Sequence, residues 1–186
     1  MSSRLLICIL PVLLFFTACK PSHDKSLAKV TEAEENLKKS YASGKPETQM
    51  VLGAVDAYEQ FVKYYPKDSM SPFFLIKAGD CYRILKQYDK AIAEYQRVEN
   101  NYQGSKAYPN SIFIQGFVYE NEVKDLPKAK ERYETFLKKF PDNEMARAAQ
   151  FSVQNLGVSP EELVKRFEQQ NKPASDSSAS TTATGN

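Results

Sequence analysis

Few side chains in this sequence could form a catalytic centre or a metal site. The 186 residues contain one histidine, His23, and three cysteines, Cys8, Cys19 and Cys81. Their spacing matches no zinc site, and the sequence has no phosphate-binding glycine loop, dinucleotide fingerprint or nucleophile elbow. Carboxylates are plentiful, but clusters such as the one around Glu34 are typical of the solvated face of a helix. We therefore predict a protein that is not an enzyme and that needs neither a metal nor a cofactor.

The one histidine stands four residues after Cys19, in a polar segment that we interpret as a linker over residues 19–27. A histidine that binds a metal or transfers a proton needs a rigid surrounding shell. Because a linker offers no such shell, we expect His23 to have no chemical role.

The start of the chain has the pattern of a secretory signal peptide. Arg4 precedes an apolar run of 14 residues, 5–18, and the composition becomes polar directly after Cys19. A spanning helix needs about 20 apolar residues, and Pro11 would disturb one further. A retained membrane helix is the alternative.

Residues 14–19 resemble the signal of bacterial lipoproteins. Thr17 and Ala18 are the small residues expected before the modified cysteine, and Phe16 stands where that family prefers leucine. The resemblance implies cleavage after residue 18, a thioether-linked diacylglycerol on Cys19 and an acyl chain such as palmitate on its amino group. Several acyl chains anchor a protein stably to a bilayer. A plain secretory signal with an incidental cysteine is the alternative.

The residue after the cysteine bears on the destination of such a lipoprotein. Lys20 differs from the aspartate that retains lipoproteins of enteric bacteria in the inner membrane. We therefore expect an outer-membrane location facing the periplasm, with display on the cell surface as the alternative.

The remaining 168 residues carry 24 basic and 23 acidic side chains. A net charge of about +1 argues against nucleic acid as a partner, because phosphate binding needs a clustered cationic surface. Cys81 would be the single unmodified cysteine, and its apolar surroundings predict a buried residue, with a reactive thiol or an intermolecular bridge as alternatives. Residues 171–186 contain no large apolar side chain, so we expect a disordered tail.

A short phrase recurs three times in the centre of the chain. Each copy has alanine, an aromatic residue four positions later and an apolar residue three further, and the copies start 37 and 38 residues apart. They are Ala54, Tyr58 and Phe61; Ala91, Tyr95 and Val98; and Ala129, Tyr133 and Phe136. Such a period predicts a helical solenoid, in which each unit buries its apolar face against its neighbours.

Apolar spacing and helix-stop signals give the expected elements. We predict a helical domain over residues 28–170, with helices at 28–42 and 47–65, a third beginning at Ser71, and a last pair at 143–156 and 161–170. The predicted fold is all-α: a right-handed solenoid of antiparallel helix pairs, with three or four repeats and seven or eight helices.

The second unit resembles the tetratricopeptide repeat. Its small residue, aromatics and alanine fit the consensus without a gap, at Gly79, Tyr82, Tyr88, Ala91, Tyr95 and Val98. The third unit fits from Gly116 to Pro141 if one residue is inserted in the turn near 125–127. The glycines would let two helices approach closely, with the aromatics filling the space between them.

In the tetratricopeptide family the first helix of each pair lines a concave groove. The resemblance implies ten groove residues here: Phe73, Ile76, Asp80, Arg83, Ile84, Asn110, Phe113, Phe117, Glu120 and Asn121. Such a groove would suit an extended peptide or a partner helix. The alternative is that the terminal helices cover these residues and close the groove.

The phrase that runs from Tyr58 to Ser69, with its partial copy at 136–142, resembles the repeats of bacterial envelope proteins. Examples are the lipoprotein subunit of the β-barrel assembly machinery and the periplasmic repeat protein of the Tol-Pal system. The resemblance implies an outer-membrane lipoprotein that scaffolds envelope biogenesis, above all β-barrel protein assembly, with envelope proteins or peptides as partners. The alternatives are a receptor that captures a peptide or glycan, and a Tol-Pal or cell-division coordinator.

Overall fold

The computed structural model describes residues 20–170, and within that range every regular element is helical. The predicted signal peptide, Cys19 and the predicted tail at 171–186 lie outside the described residues. The α-helices are α1 His23–Ala42, α2 Thr48–Tyr64, α3 Ser71–Ile84, α4 Tyr88–Asn101, α5 Ala107–Val118, α6 Leu126–Lys139, α7 Ala146–Gln154 and α8 Pro160–Gln170. The predicted all-α solenoid is therefore confirmed. No helix in residues 20–170 has the length and apolar content to cross a bilayer.

Consecutive helices from α1 to α7 pack on one another, which makes a row of antiparallel pairs. The pairs are α1 with α2, α3 with α4, and α5 with α6. The first helices α3 and α5 also contact each other, whereas the described chain has no comparable contact between the second helices α4 and α6. The first helices therefore lie on the inner side of the curve, which we call the inner face.

The repeated phrase builds the core. Tyr95, Tyr133 and Phe136 are fully buried, and Tyr58 is 3% exposed. The rings of Tyr95 and Tyr133 pack where the first helix has a glycine: a Cβ added at Gly116 would lie 2.7 Å from Cε1 of Tyr133, and one added at Gly79 would overlap Tyr95. The glycines therefore permit the close approach of the two helices, as the sequence predicted.

The first helix begins earlier than predicted, at His23 instead of residue 28. Ser22 Oγ accepts the Lys25 N–H at 3.4 Å and caps the new first turn. His23 consequently belongs to the fold: its Nε2 lies 2.9 Å from Asp68 Oδ2, and its ring meets Tyr65 edge-on at 5.0 Å between centroids. The predictions of a linker reaching residue 27 and of an unsupported histidine are wrong, because the polar residues 22–25 form a helix start.

The inserted residue of the third repeat is also placed differently. Helix α5 continues into a π-helix, Tyr119–Val123, and Lys124 then takes a left-handed conformation with φ 64°. In the second repeat the Gln87 N–H donates to the Tyr82 carbonyl five residues back, whereas the Asp125 N–H donates to Tyr119 six residues back. The extra residue therefore widens the helix end at 119–123 and does not lengthen the turn at 125–127.

The turns between repeats share one design. Asp68 accepts the Met70 N–H at 2.8 Å, Ser105 accepts that of Ala107 at 3.1 Å, and Asn143 accepts that of Met145 at 3.0 Å. A polar side chain thus fixes the start of α3, α5 and α7 in the same way. We call the side of the solenoid that carries these three turns the turn edge.

The last helix pair is less closely packed than the others. Helix α7 has nine residues, fewer than the 14 predicted, and α8 begins at Pro160 after the expected cap, where Ser159 Oγ accepts the Glu162 N–H. Phe151 stacks on Phe167 with 6.5 Å between centroids, and both rings are almost half exposed. The pair therefore ends the solenoid without covering its inner face.

Candidate partner-binding face

The ten residues predicted for the groove divide into three groups by exposure. Phe73, Ile84, Phe117 and Asn121 are exposed, while Asp80, Arg83, Asn110, Phe113 and Glu120 are half-buried. Ile76 is buried. The inner face is therefore open at its exposed members, and the described chain does not close over them.

Two of the predicted groove residues serve the core instead. Ile76 is only 8% exposed and belongs to the larger hydrophobic cluster. Phe113, at the equivalent position one repeat later, packs its ring 5.5 Å from Tyr133 and 5.7 Å from Phe136. This position points toward the second helix of its own pair, so expecting a free surface for Ile76 is wrong.

The two acidic groove residues are held by core tyrosines. The Tyr95 hydroxyl donates to Asp80 at 2.8 Å, and the Tyr133 hydroxyl donates to Glu120 at 2.7 Å. The first repeat has the same arrangement, with Tyr58 donating to Glu34 at 2.9 Å. Each tyrosine thus spans from the buried core to a carboxylate on the first helix and fixes its position.

Burial dominates the electrostatics of these pairs. Removal from water, and secondarily the neighbouring carboxylate, raises the pKa of Tyr58, Tyr95 and Tyr133 above the ordinary tyrosine value. The phenols therefore stay protonated at neutral pH and remain hydrogen-bond donors. Sequence reasoning missed Glu34, although its place directly after the small residue Ala33 repeats the order of Gly79 and Asp80.

Arg83 joins the second and third repeats across the inner face. Its Nε and Nη2 donate to Glu122 Oε1 at 2.9 and 2.6 Å, and its Nη1 donates to Asp80 at 3.3 Å. The guanidinium carbon also lies 5.1 Å from the ring centroid of Phe117. Charge-assisted bonds of this kind orient Arg83 over the aromatic ring. Glu122 was not predicted, because it reaches Arg83 only through the π-helix.

The inner face also carries large apolar side chains that the core does not use. Ile84 is 40% exposed, Phe117 39% and Phe73 38%. Tyr41, which the sequence did not single out, is 46% exposed. Burial raises its pKa, and the charges of Cys81 and Asp80 raise it further, so Tyr41 lies close to the inner face. Apolar groups beside a fixed charged pair are the composition of a protein-binding surface.

The structure gives no support to a reactive thiol. Cys81 is free and 4% exposed, as predicted, and burial, helped by the charge of Asp80, raises its pKa to about 11. A thiol of that kind is protonated at neutral pH and is a poor nucleophile. Within residues 20–170, no group of histidine, cysteine and carboxylate side chains has the geometry of a metal site.

Fold and inner face together define a repeat protein of the α-solenoid class. The family model of the tetratricopeptide repeat matches two of its stretches, residues 75–105 and 110–143. The matched stretches begin within α3 and α5 and include α4 and α6, so they are the second and third helix pairs. No curated protein matches the chain. Repeats of this kind are protein-interaction modules, so proteins are the expected partners.

Proposed function

We propose that this protein is a lipid-anchored scaffold of the bacterial outer membrane that binds envelope proteins through the inner face. The observation that carries the proposal is the set of exposed apolar residues beside Arg83, above all Ile84 and Phe117. A folded chain leaves such residues uncovered mainly where a partner covers them. The lipoprotein pattern at residues 14–19 supports the anchor, with cleavage before Cys19.

The pathway that we propose is the assembly of outer-membrane β-barrel proteins. Support comes from the likeness of the phrase at Tyr58–Ser69 to the repeats of assembly lipoproteins. A partner would lie along α3 and α5 as an extended segment or a helix, with its apolar side chains against Ile84 and Phe117. No reaction is part of this function.

Site-specific crosslinking in the native cell tests the binding face. A photo-reactive amino acid replaces Ile84 or Phe117 on the inner face, and the matched control replaces Ala93, which is exposed on the second helix α4. We expect discrete crosslinked products from the two inner positions, containing envelope proteins identified by mass spectrometry, and none of these products from Ala93. Equal patterns from all three positions would show that the inner face is not the binding surface.

The anchor is tested independently. Mass spectrometry of the N-terminal peptide should show Cys19 carrying the diacylglycerol and acyl groups, and Cys19→Ala should release the protein from the membrane fraction. Protection of the chain from protease added to intact cells would support the periplasmic side, whereas rapid cleavage would contradict it.

A further inference from the structure

The chain that directly follows Cys19 is bound to the fold. Lys20 Nζ lies 4.1 Å from the ring centroid of Tyr65, and the Tyr65 hydroxyl donates to the Pro21 carbonyl. Helix α1 starts two residues later, and His23 is held at 2.9 Å by Asp68. The described chain therefore has no flexible spacer between Pro21 and the solenoid.

This attachment limits how far the solenoid can move from residue 19. Cα atoms of consecutive residues are about 3.8 Å apart, so the Cα atoms of Cys19 and Pro21 are separated by about 7 Å at most. If Cys19 carries the anchor, Pro21 must stay within that distance of the backbone of the lipidated residue. A long polar tether would have allowed any orientation, whereas two residues do not.

Pro21 belongs to the turn edge. The Tyr65 hydroxyl that binds Pro21 has a counterpart in Tyr102, whose hydroxyl donates at 2.8 Å to the carbonyl of Pro66 in the preceding turn. The second turn is thus joined to the first, and the first is joined in the same way to Pro21. The polypeptide leaves the solenoid toward Cys19 from this edge.

The turn edge also has the charge that suits an anionic surface. Exposed lysines lie in the turns and in the helix ends next to them, at Lys63, Lys67, Lys106, Lys138 and Lys139, together with Lys20. The acidic residues of the same segments are fewer: Asp24 in the first turn of α1, Asp68, which holds His23, and Asp142 and Glu144. Basic groups close to anionic headgroups stabilise the attachment of a protein to the bilayer surface.

We propose that the turn edge lies on the bilayer surface and that the helix axes point away from the membrane. The inner face then opens parallel to the membrane plane. This orientation rests on the proposed acylation of Cys19. The 14 residues of α4 extend about 21 Å, which places the opposite ends of the pairs about 20 Å farther from the lipid. A partner would then approach Ile84 and Phe117 parallel to the membrane plane and not along the membrane normal.

Energy transfer from the two ends of α4 to the bilayer tests this orientation. A fluorescent amino acid replaces either Gln103, in the turn after α4, or Asp89, in its first turn; both are exposed. The acylated protein is incorporated into vesicles of phosphatidylcholine with one third phosphatidylglycerol and a trace of acceptor-labelled lipid. We expect clearly more transfer from Gln103 than from Asp89.

A spacer variant is the matched control. Twelve glycine and serine residues inserted between Cys19 and Lys20 keep the anchor but free the solenoid, so at 0.5 M salt the difference between the two positions should disappear. Equal transfer from both positions in an acylated chain that floats with the vesicles would overturn the orientation alone. A chain that carries no acyl group by mass spectrometry would overturn the anchor, and the orientation with it.

Discussion

At the scale of single residues, the fold depends on a glycine opposite each of two core tyrosines. Gly79 faces Tyr95 and Gly116 faces Tyr133, at distances that leave no room for a methyl group. Gly53 in α2 is different, since a Cβ there would meet nothing within 4 Å. The same residue type therefore serves close packing at two positions and has no packing reason at a third.

Alanine substitutions should separate these two kinds of glycine. Gly79→Ala forces the fully buried Tyr95 ring to move, which should lower the free energy of unfolding by about 1–3 kcal/mol despite the better helix propensity of alanine. Gly53→Ala adds no clash and should raise it by about 0.5–1 kcal/mol. Urea denaturation followed by circular dichroism measures both, and a Gly79→Ala protein as stable as wild type would contradict the packing argument.

At the scale of elements, the π-helix at Tyr119–Val123 absorbs the one residue by which the third repeat exceeds the second. It also carries Glu122 to the inner face, where the carboxylate binds Arg83. The insertion therefore links the second and third repeats. In the second repeat, Leu85 fills the corresponding helix end and packs half-buried against the core.

Deletion of Glu122 should convert the π-helix to an α-helical end. Val123 then takes the place that Leu85 occupies in the second repeat, and the left-handed residue Lys124 keeps its position. We expect cooperative unfolding with a free energy within about 1 kcal/mol of that of Glu122→Ala, which removes the Arg83 bond without changing the length.

Deletion of Gln96 is the control for that experiment. Gln96 is exposed in the middle of α4, and its removal turns Val98 about 100° away from the core. We expect loss of cooperative unfolding for this variant, measured by thermal denaturation. If the Glu122 and Gln96 deletions were equally damaging, the π-helix would not be a tolerated insertion.

At the scale of the whole molecule, the core contains one protonated tyrosine in each of three repeats, and Cys81 beside them. In the unfolded chain the thiol ionises near pH 9 and the phenols near pH 10. Burial raises the pKa of Cys81 to about 11 and also raises the pKa of each of the three tyrosines. Above pH 9 the folded protein therefore holds more protons than the unfolded chain. Stability must fall as the pH rises.

Urea denaturation between pH 8 and pH 11 should show this loss. The free energy of unfolding is expected to fall by about 2 kcal/mol between pH 9 and 10, about half of it from Cys81 and the rest from the three tyrosines, and more steeply above pH 10, where most phenols of the unfolded chain are ionised. Cys81→Ala should reduce the fall between pH 9 and 10 by about half but keep the steeper part. An unchanged fall between pH 9 and 10 in that variant would contradict the raised pKa of Cys81.

The sequence alone predicted the class of fold and the second helices. Their alanines and tyrosines recur because every repeat must bury the same face, so the pattern is already present in the amino-acid sequence. The helix boundaries were less certain: the start of α1 was misjudged because residues 22–25 are polar whether they form a linker or a capped helical turn. The contact of His23 with Asp68 joins residues 45 positions apart and follows only from folding.

The residues proposed for binding divide in the same way between sequence and tertiary structure. The resemblance to the tetratricopeptide repeat assigned Arg83 and Phe117 to the inner face, but it could not separate Ile76 from Ile84, because only the rotation of α3 against α4 decides which isoleucine is buried. Glu34 joins the site through Lys77 of the next repeat, whose Nζ donates to its carboxylate at 2.6 Å, and Glu122 joins it through Arg83. Sequence by itself determined the repeated packing that makes this protein a solenoid, since that packing depends on local periodicity; the tertiary structure alone decided which side chains remain for a partner, since exposure depends on neighbours distant in the chain.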